Sequence, residues 1–149
     1  MLQSSFTNIA NKLNVENDIE QYYNNEFKRI FPKIKKTIRE RWKKGETPSG
    51  NKIGLYAWYS YSLFKEEMNP LAGFGIVDLT LTGNLGENIT FGILSENEYQ
   101  IFSIDEKYNH IIEKYGEWNF NITEQETEQI VQEITTKIVT ELLKKAYYG

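Results

Sequence analysis

The sequence predicts an α+β fold, with a small antiparallel β-sheet packed by long N- and C-terminal amphipathic helices. Apolar residues near both ends of the chain recur at three- and four-residue steps, which is helical spacing. Short segments between residues 77 and 104 alternate apolar and polar residues, which is strand spacing. No internal repeat or domain-scale linker divides the 149 residues. We therefore expect residues 1–149 to form a single α+β domain.

The N-terminal helix is predicted over residues 17–42, where the apolar residues fall on one stripe. They are Ile19, Tyr22, Tyr23, Phe27, Ile30, Phe31, Ile34, Ile38 and Trp42. Pro32 has no amide hydrogen and restricts Phe31, so a kink or a restart of the helix is expected there. A shorter helix around Ser5–Leu13 is expected to precede it.

An exposed loop is predicted over residues 43–51, because two glycines and Pro48 disfavour both helix and strand there. Residues 60–68 are then expected to form a short helix, with Ser60 as its cap and Asn69-Pro70 as its stop. A strand over residues 53–62 is the alternative.

Three strands are predicted, over residues 77–81, 88–94 and 99–104, with turns at residues 82–84 and 95–97. A short helix over residues 105–115 is expected to end at Gly116, and residues 118–122 are expected to form an edge strand.

The last helix begins with a capping box at residues 123–126. Its predicted apolar stripe contains Ile130, Val131, Ile134, Ile138, Val139, Leu142 and Leu143.

Catalytic and cofactor signatures are missing from the sequence. The chain has no cysteine, which excludes disulfides, thiolate metal sites and cysteine nucleophiles. Its single histidine, His110, has Glu106 one turn before it, and a lone Glu/His pair offers too few ligands for a catalytic zinc. No glycine loop of phosphate-binding spacing occurs. We expect a protein that is not an enzyme and uses no cofactor and no metal.

A metal-dependent nuclease is the enzyme class that is hardest to exclude, since it needs only a few carboxylates and a lysine. Asp78 and Glu98 are the candidate carboxylates, but no Glu-x-Lys follows on the later strand. The simpler interpretation of Asp78 is a strand-end or turn residue.

The net charge of −4 conceals a basic segment. Residues 28–52 carry +8 and the rest of the chain −12, and such a dipolar molecule suits head-to-tail packing. A solvated helix face is the simpler interpretation.

The N-terminus lacks the basic and apolar runs of a signal peptide, and no run of about 18 apolar residues occurs. We expect synthesis in the cytoplasm and no membrane partner.

The middle of the chain resembles a pattern of tailed-phage virion proteins. A glycine loop, a Tyr-Ser element, a lysine, an Asn-Pro turn and a strand ending in Thr-Gly-x-Leu follow in order across residues 43–116. The residues that carry the match are Gly45, Gly50, Tyr56, Lys65, Asn69, Pro70, Asp78, Thr82, Gly83 and Leu85. The pattern is similar to the head–tail connector, tail-completion and virion morphogenesis group, especially in phages and prophages of Bacteroides-type bacteria. One departure is Asn84–Glu87, which lacks the basic residues often found there.

This resemblance implies a structural protein of the virion neck or upper tail. Such a protein assembles as an oligomeric ring with copies of itself and joins portal-side proteins to the tail tube. The basic stripe Lys28, Lys35, Arg39 and Lys43 would then face packaged DNA, in non-specific contact, or an acidic neighbour. A small immunity or inhibitor protein that occludes a basic toxin or nuclease is the alternative, motivated by the −12 outside residues 28–52.

Overall fold

Helix α1 spans Val15–Lys43 in the computed structural model, which describes residues 15–80, 82–95 and 98–148. The predicted apolar stripe accounts for this helix. Its buried members are Phe27, Ile30, Phe31, Ile34, Ile38 and Trp42. The helix continues through Pro32, and no second helix starts there. The N-terminal helix is confirmed, whereas the one predicted around Ser5–Leu13 lies outside the described residues.

The remaining elements alternate short helices with one hairpin. In chain order they are α2 (Tyr59–Met68), α3 (Asn84–Glu87), β1 (Ile89–Ser95), β2 (Glu98–Ser103), α4 (Tyr108–Tyr115), a 3₁₀ turn (Glu117–Phe120) and α5 (Glu124–Tyr148). Strands β1 and β2 form a two-stranded antiparallel sheet. The α+β class, with a small antiparallel sheet and long helices toward both ends of the chain, is confirmed.

The strand predicted over residues 77–81 is wrong for residues 77–80, and Leu81 is not described. A single antiparallel bridge pairs Leu55 with Ile76, and the Val77 amide donates to the Gly54 carbonyl at 2.9 Å. Pairing ends there because the next residue, Asp78, bonds through its backbone N–H and its carbonyl to the Tyr56 hydroxyl, at 3.3 and 3.1 Å. One bridge is too short to count as a strand, although the chain is locally paired.

Two smaller predictions are also wrong. Residues 118–122 form no edge strand, because the Asn119 amide folds back onto the carbonyl oxygens of Tyr115 and Gly116, at 2.7 and 3.2 Å, and closes a 3₁₀ turn. Ser60 is not the cap of α2, since the helix begins at Tyr59 and its N-cap is Trp58. Gly116, at a φ of 92°, ends α4 as expected.

Contacts divide the described residues into two compact units. The terminal unit comprises residues 15–31, 95 and 124–148, and the central unit comprises residues 32–80, 82–94 and 98–123. The single-domain prediction stays a prediction. No helix among the described residues is long and apolar enough to cross a bilayer.

The terminal unit joins the first half of α1 to α5. Arg29 forms ion pairs with Glu26 at 2.7 Å and with Glu133 of α5 at 3.3 Å. Of the predicted α5 stripe only Ile134 and Ile138 are buried. The exposed members of that stripe are Val131, Val139 and Leu143. The helix is confirmed, but its buried stripe is narrower than predicted.

Candidate functional site

The loop after α1 turns the chain of the central unit back toward its own core. Gly45 has a φ of 67°, and a Cβ there would lie 2.5 Å from Ile76 Cγ2. Only glycine fits this backbone and this close approach. Gly50 also has a positive φ, of 83°, but a Cβ there would meet nothing within 4 Å. The predicted loop is confirmed, but it is not exposed throughout, since Thr47 is fully buried and Gly45 lies against the segment that leads to Asp78.

Four residues of the phage-like pattern meet beside this loop and form the buried polar cluster, Tyr56, Lys65, Asn69 and Asp78. The Lys65 ammonium and the Asp78 carboxylate form an ion pair whose side chains are 4% and 1% exposed. The Asn69 amide donates to the same carboxylate at 2.6 Å. The Tyr56 hydroxyl donates to the Asp78 carbonyl at 3.1 Å. Every charge in the cluster is therefore paired.

The cluster fixes three chain segments relative to one another. Lys65 belongs to α2, Asp78 follows the bridge at Ile76, and the Asn69 amide also donates to the Lys43 carbonyl at the end of α1 at 2.8 Å. Burial is the main cause of the raised pKa of Tyr56, so its hydroxyl stays protonated and keeps donating at neutral pH. A buried pair of this kind constrains geometry, and removing one partner leaves an uncompensated charge.

The arrangement does not resemble a nuclease metal site. The Asp78 carboxylate already forms an ion pair with Lys65 and accepts a hydrogen bond from Asn69. Glu98 lies exposed at the start of β2. No group of three or more His, Asp or Glu side chains that could hold a metal ion is found in the described ranges.

Helix α2 has the opposite polarity from an ordinary surface helix. Its two buried residues are polar, Ser62 and Lys65, each 3% exposed. Its outward side carries Leu63, Phe64 and Met68, which are 46%, 45% and 58% exposed. We call these three residues the apolar face of α2. Surface helices normally turn apolar residues inward, and exposed apolar patches are typical of interaction surfaces.

Further apolar residues are exposed on the segments that precede and follow α2. Those exposed on the flanking segments are Leu55, Trp58, Leu71 and Phe74. Aromatic rings here pack on one another: Tyr59 lies 5.4 Å from Phe74, and Tyr61 lies 6.0 Å from Phe64, between ring centroids. Edge and tilted ring pairs hold such side chains in place.

The remaining pattern residues occupy separate places. Pro70 lies in the turn after α2, and Leu85 is buried in α3. Gly83, with a φ of 76°, is the N-cap of α3, where no side-chain cap bond forms. The Thr82 hydroxyl accepts a long hydrogen bond, 3.4 Å, from the backbone N–H of Asn84. These residues shape the turn into α3.

The predicted basic stripe is partly used within the chain. In the central unit Lys35 donates to the Glu87 carbonyl, and Arg39 pairs with the Glu87 carboxylate at 2.6 Å. Lys43 is exposed at the end of α1, and Lys28, in the terminal unit, is exposed as well. Lys28 and Lys43 are therefore the residues of the stripe whose charged groups make no ion pair or hydrogen bond with a described residue.

Sequence reasoning missed both the ion pair and the reversed polarity of α2. The pairing partner of a lysine is not encoded in spacing, but the polar residues Ser62 and Lys65 lie three residues apart and so share one side of the helix, which is a readable signal. Comparison of the chain with protein-family models, curated proteins and solved structures finds no match.

Proposed function

We propose that this protein is a phage structural protein of the virion neck or upper tail, of the connector or tail-completion kind. It acts by assembling with copies of itself into a ring and by contacting portal-side and tail-tube proteins. Its place of action is the virion, after synthesis in the host cytoplasm.

The observation that carries this proposal is the reversed polarity of α2. Leu63, Phe64 and Met68 are exposed, while the ion pair of Lys65 with Asp78 attaches α2 to the buried polar cluster. An apolar surface left in water favours association, because covering it releases about 25 cal/mol per Å². A rigid support beneath it reduces the entropy lost on binding.

The sequence pattern supports the same proposal, and it does not depend on the exposure of the apolar face of α2. Tyr56, Lys65, Asn69 and Asp78 were singled out by their order along the chain, and they meet in one cluster. Residues matched by a family pattern are expected to share a structural task, and here that task is to position α2.

Electron microscopy tests the proposal. The purified protein, alone and co-expressed with the products of the genes that flank its own, is expected to give ring-shaped class averages. The flanking genes are expected to encode portal, capsid and tail proteins. Particles that stay single chains of 17.5 kDa in both preparations contradict the proposal.

A further inference from the structure

A cleft opens in the central unit beside the N-terminal end of α2. It encloses about 520 Å³, within the range of about 300–1,000 Å³ typical of binding pockets. One wall carries Tyr56, Trp58 and Tyr61, and α4 contributes Tyr115. These rings make the cleft apolar, so it accepts an apolar group.

The α4 wall of the cleft adds positive charge. Lys107 and Lys114 line it, seven residues apart and hence on one side of the helix. Neither lysine makes an ion pair with a described residue. The neighbouring acidic residues Glu106 and Glu113 do not line the cleft, and its acidic lining residue, Asp78, is neutralised by Lys65. The occupant should therefore be apolar with carboxylates beside its apolar part.

The apolar face of α2 has this chemistry. Next to Leu63, Phe64 and Met68 stands the carboxylate of Glu67, which is exposed and makes no ion pair among the described residues. On a helix, Glu67 lies one turn after Leu63 and Phe64, so the three share one side. None of them lines the cleft. One chain thus carries a cleft and a matching surface on different residues.

We propose that the cleft receives the apolar face of α2 from a second copy of this chain. Phe64 and Leu63 of one copy enter between the rings of the other, and Glu67 lies toward Lys107 and Lys114. Each copy uses two different surfaces, so the contact is head-to-tail and propagates until a ring closes. This inference rests on the proposed ring assembly and names the surfaces that form it.

Two variants test the cleft and the apolar face of α2 separately. The cleft variant, Lys107→Glu/Lys114→Glu, keeps its apolar face. The face variant, Leu63→Ser/Phe64→Ser, keeps its cleft. Lys36→Glu/Lys44→Glu makes the same change of charge at exposed positions elsewhere and is the matched control. Circular dichroism establishes that each variant is folded, and sedimentation velocity gives the size of its assemblies.

Each of the two variants alone is expected to associate at least about tenfold more weakly than the wild type, because like charges or polar groups now oppose the remaining partner surface. Mixed together, they are expected to form a one-to-one dimer and nothing larger, since only one intact junction remains. The control is expected to assemble like the wild type.

Variants that assemble like a self-associating wild type overturn this inference and leave the proposed ring function standing. A mixture that stays monomeric, or that grows beyond the dimer, also overturns it. A wild type that is monomeric at its highest attainable concentration, alone and with the products of its flanking genes, overturns the inference and the proposed function together.

Discussion

Replacing Lys65 by Met should destabilise the central unit strongly. Met keeps the length and apolar stem of the side chain but removes the ammonium that neutralises Asp78. That carboxylate is 1% exposed, and only hydrogen bonds from Asn69 at 2.6 Å and from Tyr56 would remain to it. Leaving one charge of a buried pair uncompensated costs about 3–5 kcal/mol. For a chain of this size, the melting temperature should fall by about 10 °C.

Urea unfolding followed by tryptophan fluorescence measures this loss, and two further variants interpret it. Lys65→Met/Asp78→Asn removes the stranded charge but keeps an acceptor oxygen, so it should recover about half of the lost free energy. Lys36→Met is the matched control, because Lys36 is 76% exposed and lies 3.8 Å from Glu40, a surface pair worth about 0–1 kcal/mol. If Lys65→Met costs no more than Lys36→Met, the reasoning about the buried pair is refuted.

Two further predictions concern the same region. Gly45→Ala should cost about 2–5 kcal/mol, because left-handed backbone strain of about 1–2 kcal/mol adds to a Cβ contact with Ile76; Gly50→Ala, which meets nothing within 4 Å, should cost only the strain. Equal urea midpoints for the two variants would contradict the close approach at Gly45. Burial raises the pKa of Tyr56 in the folded state, so the unfolded chain releases this proton first and the stability it contributes is lost as the pH rises above about 10. Tyr56→Phe should therefore make the alkaline fall of the urea midpoint shallower, and an unchanged slope would argue against a buried hydroxyl.

Long periodic elements were predictable from the sequence, because their signal repeats over many residues. Helix α1 and the strands of the hairpin were found in place, and so was the end of α4 at Gly116. Each of these follows from local spacing or from a glycine that ends a helix.

The elements that failed were decided by distant side chains. Residues 77–80 alternate like a strand, yet the backbone N–H and carbonyl of Asp78 both bond to the Tyr56 hydroxyl, 22 residues earlier. Residues 118–122 look like an edge strand, yet the Asn119 carbonyl accepts a buried hydrogen bond from the Trp42 indole at 2.9 Å. Spacing along the chain carries no information about a partner 77 residues away.

The candidate site was half visible in the sequence. The pattern from Tyr56 to Asp78 picked out the residues of the buried polar cluster, but it did not say that they touch. The outward position of Leu63 and Phe64 depends on that contact, because burying Ser62 and Lys65 turns the other side of α2 to the surface. The apolar face of α2 is therefore a product of the fold and not of hydrophobic periodicity.

The most direct test of the account is whether α2 becomes covered when chains associate. The chain has no cysteine, so Ser60→Cys places a single thiol on the exposed side of α2, one turn before Phe64. Its rate of labelling by a maleimide should fall as unlabelled wild-type protein is added, while Lys36→Cys on α1 should label at a constant rate. Labelling of Ser60→Cys that is indifferent to added wild-type protein would contradict the claim that this protein works through the outward face of α2.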